Sequence, residues 1–290
     1  MQVNNMLKRF RRELYKTLSM FCLKSAKTDY FGLNLKVPLI HGLGYGFLVP
    51  DDKWMSDCLS VFLKLKQGAV IDVGTNIGLY LVKLKSINTD RDYVGFEPNA
   101  ACNNYTTELI RINNFKNVNV MPFALSNKRE IRTFYIRRKA DKMGSLNEYA
   151  RYGEKGKFSY DVFTFPADEF IEILSFNEIC SIKIDVEGSE LEVLEGLAGS
   201  IKKYSPFIYC EIWQLPDISH PTYDIKLERL KKIFNLVNKL NYNILGVPVK
   251  NNSEIDILDS IEKFTTKYRR DYILVHDSEV EPLRRALTSL

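Results

Sequence analysis

Apolar runs alternate with amphipathic stretches along most of this chain, and the alternation predicts an α/β fold. Short apolar runs, of the kind that form buried strands, occur at 69–73, 93–96, 118–123, 179–186 and 206–213. Before, between and after these runs, apolar residues recur every three or four positions, as on one face of a helix, at 53–66, 98–112, 168–174, 187–204 and 223–240. This order favours a mostly parallel sheet with helices on both faces.

The two ends of the chain extend the pattern. Apolar runs at 242–247 and 272–276 follow the last long helix, and they complete a predicted seven-stranded sheet with a reversed edge strand. Residues 28–50 combine several glycines with short apolar stretches, which predicts a hairpin. We therefore divide the chain into an N-terminal helical and hairpin extension (1–50) and a main domain (51–290).

A basic amphipathic helix is predicted at the start of the chain. Its apolar residues fall near helical spacing, at Leu7, Phe10, Leu14, Leu18 and Phe21. Residues 7–24 are expected to contact an anionic membrane surface or a partner protein. The alternative is a helix that packs on its own domain. No apolar run approaches the roughly 20 residues of a membrane span, and no convincing signal-peptide cleavage site follows.

One long polar segment interrupts the regular pattern. Residues 130–136 alternate as a half-exposed strand does, so they predict a hairpin extension of the domain. Residues 137–160 are polar and contain three glycines, and a loop of this length in a compact domain is often a lid or a substrate loop.

Charge and cysteine content narrow the functional classes. The net charge is +5, but residues 1–50 carry eight Lys or Arg against Glu13 and Asp29, so the main domain is nearly neutral. A near-neutral domain argues against a broad nucleic-acid surface. The five cysteines form no CxxC pair, which predicts reduced thiols and a cytoplasmic protein, peripheral at the inner membrane face if the basic helix binds there.

The stretch VIDVGTNIG, residues 70–78, carries the first chemical signal. It reads as a strand, a tight turn at Gly74 and Gly78, and a helix whose N-terminus faces the turn. Asn76 stands where a dinucleotide-binding turn prefers glycine, and Glu97 ends the next strand, where it can accept hydrogen bonds from ribose hydroxyls. The pattern favours S-adenosylmethionine over NAD, and an NAD-dependent oxidoreductase remains the alternative.

This stretch is the first of six motifs that follow one another over residues 69–213. They are VIDVGTNIG, GFEPN, ALSN, GSL, IKIDVEGSELEVLEGL and IYCEIW. In these motifs the chain resembles the FkbM family of S-adenosylmethionine-dependent methyltransferases. The resemblance implies a Rossmann-like class I methyltransferase that methylates a hydroxyl of a sugar, a glycan precursor or another natural product.

The resemblance also assigns roles to residues. It implies that Asp72, Gly74, Asn76 and Gly78 form the turn beside the methionine part of the cofactor, and that Glu97 holds the ribose. Two residues at the end of the third strand, Phe123 and Ala124, are expected beside the adenine. Asp185 is expected where the transferable methyl group lies.

Methyl transfer to an alcohol needs a group that removes the hydroxyl proton as attack proceeds. The candidates at the carboxyl ends of the strands are Asp185, Glu187, Glu211 and His220. We expect Asp185, Glu211 and His220 to be catalytic, with His220 as the partner of Glu211 or as the base. Glu187 has the plainer alternative of favouring the start of the following helix.

Metal binding and catalysis each leave an alternative open. The spacing of the four candidates matches no closed structural zinc pattern, so no dedicated metal site is predicted, and a loosely held Mg²⁺ is the alternative. A cofactor-binding scaffold without turnover, docked by the basic helix, is the alternative to an enzyme.

Overall fold

The structure is a computed structural model. It describes residues 24–40, 42–48, 53–87, 89–137, 141–148, 157–248, 255–264 and 268–289, together with the single positions Phe10, Glu13 and Thr17. Most of the predicted N-terminal basic helix and residues 149–156 of the polar segment therefore lie outside the described residues.

The described elements follow the predicted order of strands and helices. The strands are β1 (Ser25–Tyr30), β2 (Leu33–Pro38), β3 (Ala69–Val73), β4 (Tyr93–Phe96), β5 (Val118–Met121), β6 (Ala124–Ser126), β7 (Glu130–Ile136), β8 (Phe158–Pro166), β9 (Ile179–Ile184), β10 (Phe207–Glu211), β11 (Tyr242–Pro248), β12 (Asp256–Ile257) and β13 (Tyr268–His276). The α-helices are α1 (Trp54–Leu65), α2 (Leu79–Ser86), α3 (Ala100–Asn113), α4 (Ala167–Leu174), α5 (Glu190–Gly196), α6 (Ala198–Tyr204), α7 (Tyr223–Lys239) and α8 (Val280–Thr288).

The main sheet has the strand order β12-β11-β13-β10-β9-β3-β4-β5. Neighbours from β10 through β5 pair in parallel, whereas β13 is antiparallel to both β10 and β11. This is the mainly parallel sheet that the sequence predicted. Two details differ. The two-residue β12 makes the sheet eight-stranded, and the reversed strand lies between β10 and β11 because it pairs along both of its edges.

Both faces of the sheet are covered, which explains why its central strands are apolar throughout. Every residue of β3 and β9 is buried. On one face, Ile71 and Ile182 belong to a core completed by residues of α5, α6 and α7. On the opposite face, Val70 packs with residues of α1 and α2. Burial on both faces is the normal setting of a parallel strand.

The predicted N-terminal hairpin is confirmed as β1 and β2, which pair antiparallel from Ser25↔Pro38 to Tyr30↔Leu33. Its apolar side chains pack with residues of α2 and α3. Lys36 and Asn113 lock the contact, since the Lys36 amide donates to Asn113 Oδ1 (2.8 Å) and Asn113 Nδ2 donates to the Lys36 carbonyl (2.7 Å). The hairpin is thereby fastened to the helix that follows Glu97.

A second, three-stranded sheet has the order β6-β8-β7. The expected pairing of residues 130–136 is therefore present, with β8 as the antiparallel partner. β8 itself was missed, because residues 158–160 were read as the end of the polar loop and its alternating burial gives no continuous apolar run. The helix predicted at 187–204 is divided into α5 and α6 at Leu197.

Four of the five cysteines, Cys58, Cys102, Cys180 and Cys210, are buried free thiols, as predicted, and Cys22 lies outside the described residues. Among the described helices, none is long and apolar enough to cross a bilayer.

Replacing Ile182 by alanine should destabilise the fold by about 2–5 kcal/mol, because the side chain is fully buried in the central strand β9 and its loss leaves a cavity. The matched control is Ile131→Ala in β7, whose side chain is 63% exposed and whose loss should cost less than about 0.5 kcal/mol. Denaturant unfolding of the two variants measures the difference. Equal losses would contradict the placement of β9 at the centre of the core.

Candidate functional site

The turn after β3 brings two strand ends into contact. Gly74 has φ +82°, and a Cβ atom there would lie 1.9 Å from the carbonyl oxygen of Asp185, which follows β9. Only glycine allows this approach. Gly78 (φ +84°) has a different role, since a Cβ there would press on Thr106 and Leu109 of α3, at 3.1 and 3.2 Å. Gly78 therefore allows α2 and α3 to pack.

Glu97, directly after β4, is held by the backbone of that turn. Its Oε2 accepts a hydrogen bond from the Asn76 amide and its Oε1 from the Asn99 amide, both at 2.7 Å. The side chain is 6% exposed. Burial raises the pKa of the Glu97 carboxyl to about 7, against the opposing effect of the two amides. The carboxylate is thus fixed in place and changes charge near neutral pH.

A cleft opens beside Glu97 and is called the first cleft below. It holds about 560 Å³ of space, part of which is open to solvent. Besides Gly74, Asn76 and Glu97, its wall is mainly apolar, with Phe96, Ala124, Leu125, Phe134 and Leu146. A buried hydroxyl acceptor beside an apolar wall fits a nucleoside, because the ribose is polar and the base has apolar faces.

Residues 141–148 form a strap along the first cleft, in which Lys142, Gly144 and Leu146 are lining residues. The Asn76 side chain donates to the Lys142 carbonyl (2.6 Å), and the Asn99 side chain donates to the Asp141 carbonyl (2.7 Å). On the far side, Ser145 Oγ donates to the Glu187 carbonyl (2.7 Å). The strap is therefore fastened to the glycine turn, to the start of α3 and to the loop after β9. It belongs to the segment in which the sequence predicted a lid.

Lys183, in β9, links the two strand ends electrostatically. Its ammonium lies 3.2 Å from Asp72 Oδ1 and 3.5 Å from Asp185 Oδ2, and it donates to the Gly74 carbonyl at 2.7 Å. Burial alone would lower the pKa of Lys183, but the charges of Asp72 and Asp185 outweigh it and raise that pKa. The lysine therefore stays protonated between two carboxylates.

Asp72 occupies a different place from the predicted one. Its side chain is fully buried, and it accepts a hydrogen bond from the Tyr93 hydroxyl as well as the ion pair with Lys183. It does not line the first cleft. A ligand would meet Gly74 and Asn76 of this turn, and Asp72 would act by holding Lys183.

Three carboxylates gather at the carboxyl ends of β9 and β10. Oxygen atoms of Asp185, Glu187 and Glu211 all lie within 4.8 Å of one another, close enough to share one cation. Carboxylate oxygens are the usual ligands of Mg²⁺. The same groups can accept a proton from a bound hydroxyl. Two of the predicted catalytic residues, Asp185 and Glu211, are thus brought together, and Glu187 joins them.

A second cleft, of about 950 Å³ of open space, lies on the other side of this cluster. All three carboxylates and Lys183 line it, together with apolar and aromatic residues such as Phe47 and Tyr80. Asp185 and Glu187 also line the first cleft, as do Asn76 and Lys142. The two clefts therefore meet at Asp185 and Glu187.

Two predicted site residues lie apart from this arrangement. His220 is exposed. Its Nδ1 accepts a hydrogen bond from the Thr222 amide (3.2 Å) and lies 2.9 Å from the Thr222 hydroxyl. His220 lines neither cleft. Phe123 packs against the rings of Phe96, Phe165 and Phe170, and only its neighbour Ala124 reaches the first cleft.

Sequence reasoning missed Lys183 and the fastening of the strap. A signal for Lys183 was present, because a lysine within the apolar run IKI of a strand buried on both faces must have an acidic partner. No comparable signal exists for the asparagine-to-strap contacts, which join residues far apart in the chain.

A known protein family matches the part of the chain that contains most of this site. The family described as "Methyltransferase FkbM domain" matches residues 72–244, more than half of the chain. No curated protein matches the sequence.

Among solved structures, the FkbM methyltransferase from Methylobacillus flagellatus KT is similar, with 14% identity and a TM-score of 0.44. The match covers 72% of this chain but only 44% of that one. A human methyltransferase 10 domain containing protein is 12% identical over 92% of this chain and 97% of its own, with a TM-score of 0.42. M. jannaschii TYW2 in complex with AdoMet is 12% identical over 87% of this chain and 84% of its own, with a TM-score of 0.37.

The affinity for S-adenosylmethionine should fall as the pH decreases through about 7, because the pKa of Glu97 is about 7. In the role that the resemblance implies for Glu97, ribose hydroxyls would donate to the ionised carboxylate, so a protonated Glu97 would first have to lose its proton. Well below this pKa, each pH unit should weaken binding by up to about tenfold. Calorimetric titration across this range measures the effect.

Glu97→Gln is the control for this pH profile, since it removes the titrating group and keeps one oxygen acceptor. Its affinity should be lower and nearly constant over the same range. A profile that stays steep in Glu97→Gln would assign the proton to another group.

Proposed function

The chain belongs to the FkbM family of methyltransferases, and on this premise we propose that it transfers a methyl group from S-adenosylmethionine to a hydroxyl oxygen. The acceptor is a sugar, a glycan precursor or another natural product. The observation that carries the proposal is the meeting of the two clefts at Asp185 and Glu187, where three carboxylates converge. The first cleft takes the cofactor and the second takes the acceptor.

The residues of the first cleft fit S-adenosylmethionine. Glu97 would accept hydrogen bonds from the ribose, and the apolar wall with Ala124 and Leu125 would cover the adenine. Gly74 and Asn76 would border the methionine part, which points toward Asp185. When bound, the cofactor supplies an electrophilic methyl group. The protein's part is to align this group with the acceptor oxygen and to exclude water.

The carboxylate cluster provides the base that an alcohol needs. The Asp185 side chain is 36% exposed and faces both clefts, so its carboxylate can reach a hydroxyl that enters the second cleft. In this proposal Asp185 takes the hydroxyl proton as the oxygen attacks, and Lys183 holds the carboxylate in position. Glu211, which is 8% exposed, hydrogen-bonds the acceptor hydroxyl and orients it. An amine acceptor would need no such cluster of acids.

A bound cation is the second way to use the same cluster. Mg²⁺ held by Asp185, Glu187 and Glu211 would lower the pKa of the acceptor hydroxyl. The two routes differ in their response to a chelator: proton removal by carboxylate alone survives it, and the metal route does not.

The remaining alternatives are separated by what the protein binds and makes. Membership of a methyltransferase family argues against an NAD-dependent oxidoreductase. The scaffold alternative binds the cofactor and forms no methylated product.

Replacing Asp185 by asparagine should lower turnover by about 10²–10⁴-fold, because the amide cannot take the hydroxyl proton. Affinity for S-adenosylmethionine should change less than about threefold, because Lys183 keeps Asp72 as its partner and Glu97 and the apolar wall of the first cleft are retained. Mass spectrometry of a panel of glycosides, hydroxylated natural products and amines identifies a methylated acceptor, and initial rates on it give the comparison.

The matched control is Asp259→Asn, an exposed carboxylate paired with Lys263 on the surface, which should leave the rate unchanged. Full activity of Asp185→Asn would refute Asp185 as the base. Methylation confined to nitrogen acceptors would refute the hydroxyl assignment.

Glu97→Ala should weaken the binding of S-adenosylmethionine at least tenfold, about 1.4 kcal/mol, because the ribose loses its buried hydrogen-bond acceptor. Isothermal titration measures this, with NAD as the competing ligand and Glu108→Ala, a half-buried carboxylate on α3 paired with Arg111, as the control. Failure to bind S-adenosylmethionine, or binding of NAD in its place, would overturn the proposal.

A further inference from the structure

A third cleft lies beside the carboxylate cluster, and the proposed methyl transfer does not use it. It is called the tryptophan cleft below. Its lining includes Trp213, Lys226, Arg229, Glu190 and the apolar Ile212, Ile225 and Ile233. About 760 Å³ of open space is available in it. Ile225, 64% exposed, stands among the lining residues, so the cleft offers apolar surface as well as charge.

Several residues that line the tryptophan cleft directly follow, in the chain, residues that line the two clefts of the proposed active site. Its lining residue Gly188 follows Glu187, and Ile212 follows Glu211. Asn147 likewise follows Leu146 of the strap. All three clefts are therefore built at the same edge of the sheet, and a ligand that extends past the carboxylate cluster reaches Trp213.

Lys226 carries a charge that no described carboxylate neutralises. Its ammonium lies 4.9 Å from the centroid of the Trp213 ring, and the nearby charge of Arg270 repels it. Burial and this repulsion lower the pKa of Lys226. The neighbouring cation is different, because Arg229 donates to both oxygens of Glu192 (2.8 and 2.6 Å) and to the Gly188 carbonyl (2.9 Å). Within the described chain, Lys226 is thus the cation of this cleft left for a ligand.

Trp213 adds a hydrogen-bond donor. Its indole Nε1 is buried and has no acceptor among the described residues. A buried donor without an acceptor costs roughly 1–3 kcal/mol, so a ligand atom that accepts its hydrogen bond recovers that cost. The one acid in the lining, Glu190, already accepts a hydrogen bond from the Gly188 amide (2.9 Å), and burial raises its pKa to about 7.

The geometry points to the tryptophan cleft as a subsite for an anionic group, a phosphoryl or a carboxylate, on a molecule with an adjoining apolar part. The anion accepts hydrogen bonds from Lys226 and the Trp213 indole, and it relieves the repulsion between Lys226 and Arg270. The apolar part covers Ile225 and Ile233. That this molecule is the methyl acceptor rests on the proposed function, whereas the binding of the anion does not.

The chain has two tryptophans, so the indole N–H signals offer a direct test by ¹H–¹⁵N NMR. Inorganic phosphate and acetate are titrated separately into the full chain at constant pH and ionic strength. The signal missing from Trp213→Phe identifies Trp213. We expect this signal to shift saturably while that of Trp54 stays fixed. A shift with phosphate alone identifies a phosphoryl site, and a shift with both anions identifies a general anion site.

Three variants make the result specific to Lys226. Lys226→Met should weaken anion binding by about tenfold or more, because it removes a charged hydrogen bond, and Lys226→Arg should retain binding. Lys232→Met, an exposed lysine of the same helix paired with Glu228, should have no effect. The absence of a saturable shift with either anion, or an unchanged shift in Lys226→Met, would overturn the subsite. The titration needs no cofactor, so its failure is distinct from failure of the methyltransferase proposal.

Discussion

The site depends on one buried ammonium group. Lys183 holds Asp72 of β3 on one side and Asp185 after β9 on the other, and it donates to the carbonyl of Gly74 between them. A carboxylate such as Asp72, fully buried, would be very costly without this partner, and removal of one member of a buried ion pair commonly costs about 3–5 kcal/mol. The ion pair therefore fixes the position of the glycine turn and the direction of Asp185 together. Because Asp185 lines both clefts, the ion pair helps to set the shape of each.

The contact of the strand ends explains why two ligands can meet here. Because Gly74 has no side chain, the loop after β9 approaches the turn after β3 closely, and Asp185 forms a common wall of both clefts. Of the two remaining acids, Glu97 lines the first cleft and Glu211 lines the second. In the proposed reaction, Glu97, which would bind the ribose, and Glu211, which would orient the acceptor hydroxyl, therefore lie in different clefts, and Asp185 and Glu187 border both.

Local patterns predicted the sheet, because buried parallel strands are apolar. They also predicted that Glu97 lies at the carboxyl edge of the sheet, where ligands of such folds bind. They failed where the direction of a side chain depends on a partner far away in the chain. Asp72 also stands near a strand end, but Tyr93 and Lys183 turn it inward. His220 is only nine positions beyond Glu211, yet its loop carries it to the surface. The strand β8 was hidden because it alternates exposed and buried residues and pairs with a strand outside the main sheet.

The strap has a consequence for the timing of the reaction. Two asparagine side chains hold it to the turn and to α3, and Ser145 holds it to the loop after β9. Ser145 also exchanges two backbone hydrogen bonds with Tyr135 of β7, at 2.8 and 3.0 Å. Each such hydrogen bond contributes only about 1 kcal/mol, so the strap is held by the sum of several weak contacts. In the proposed reaction, a spent cofactor beside the strap would leave only after several of these contacts break. The rate of that departure would then depend on Asn76, Asn99 and Ser145, which take no part in the proposed proton transfer.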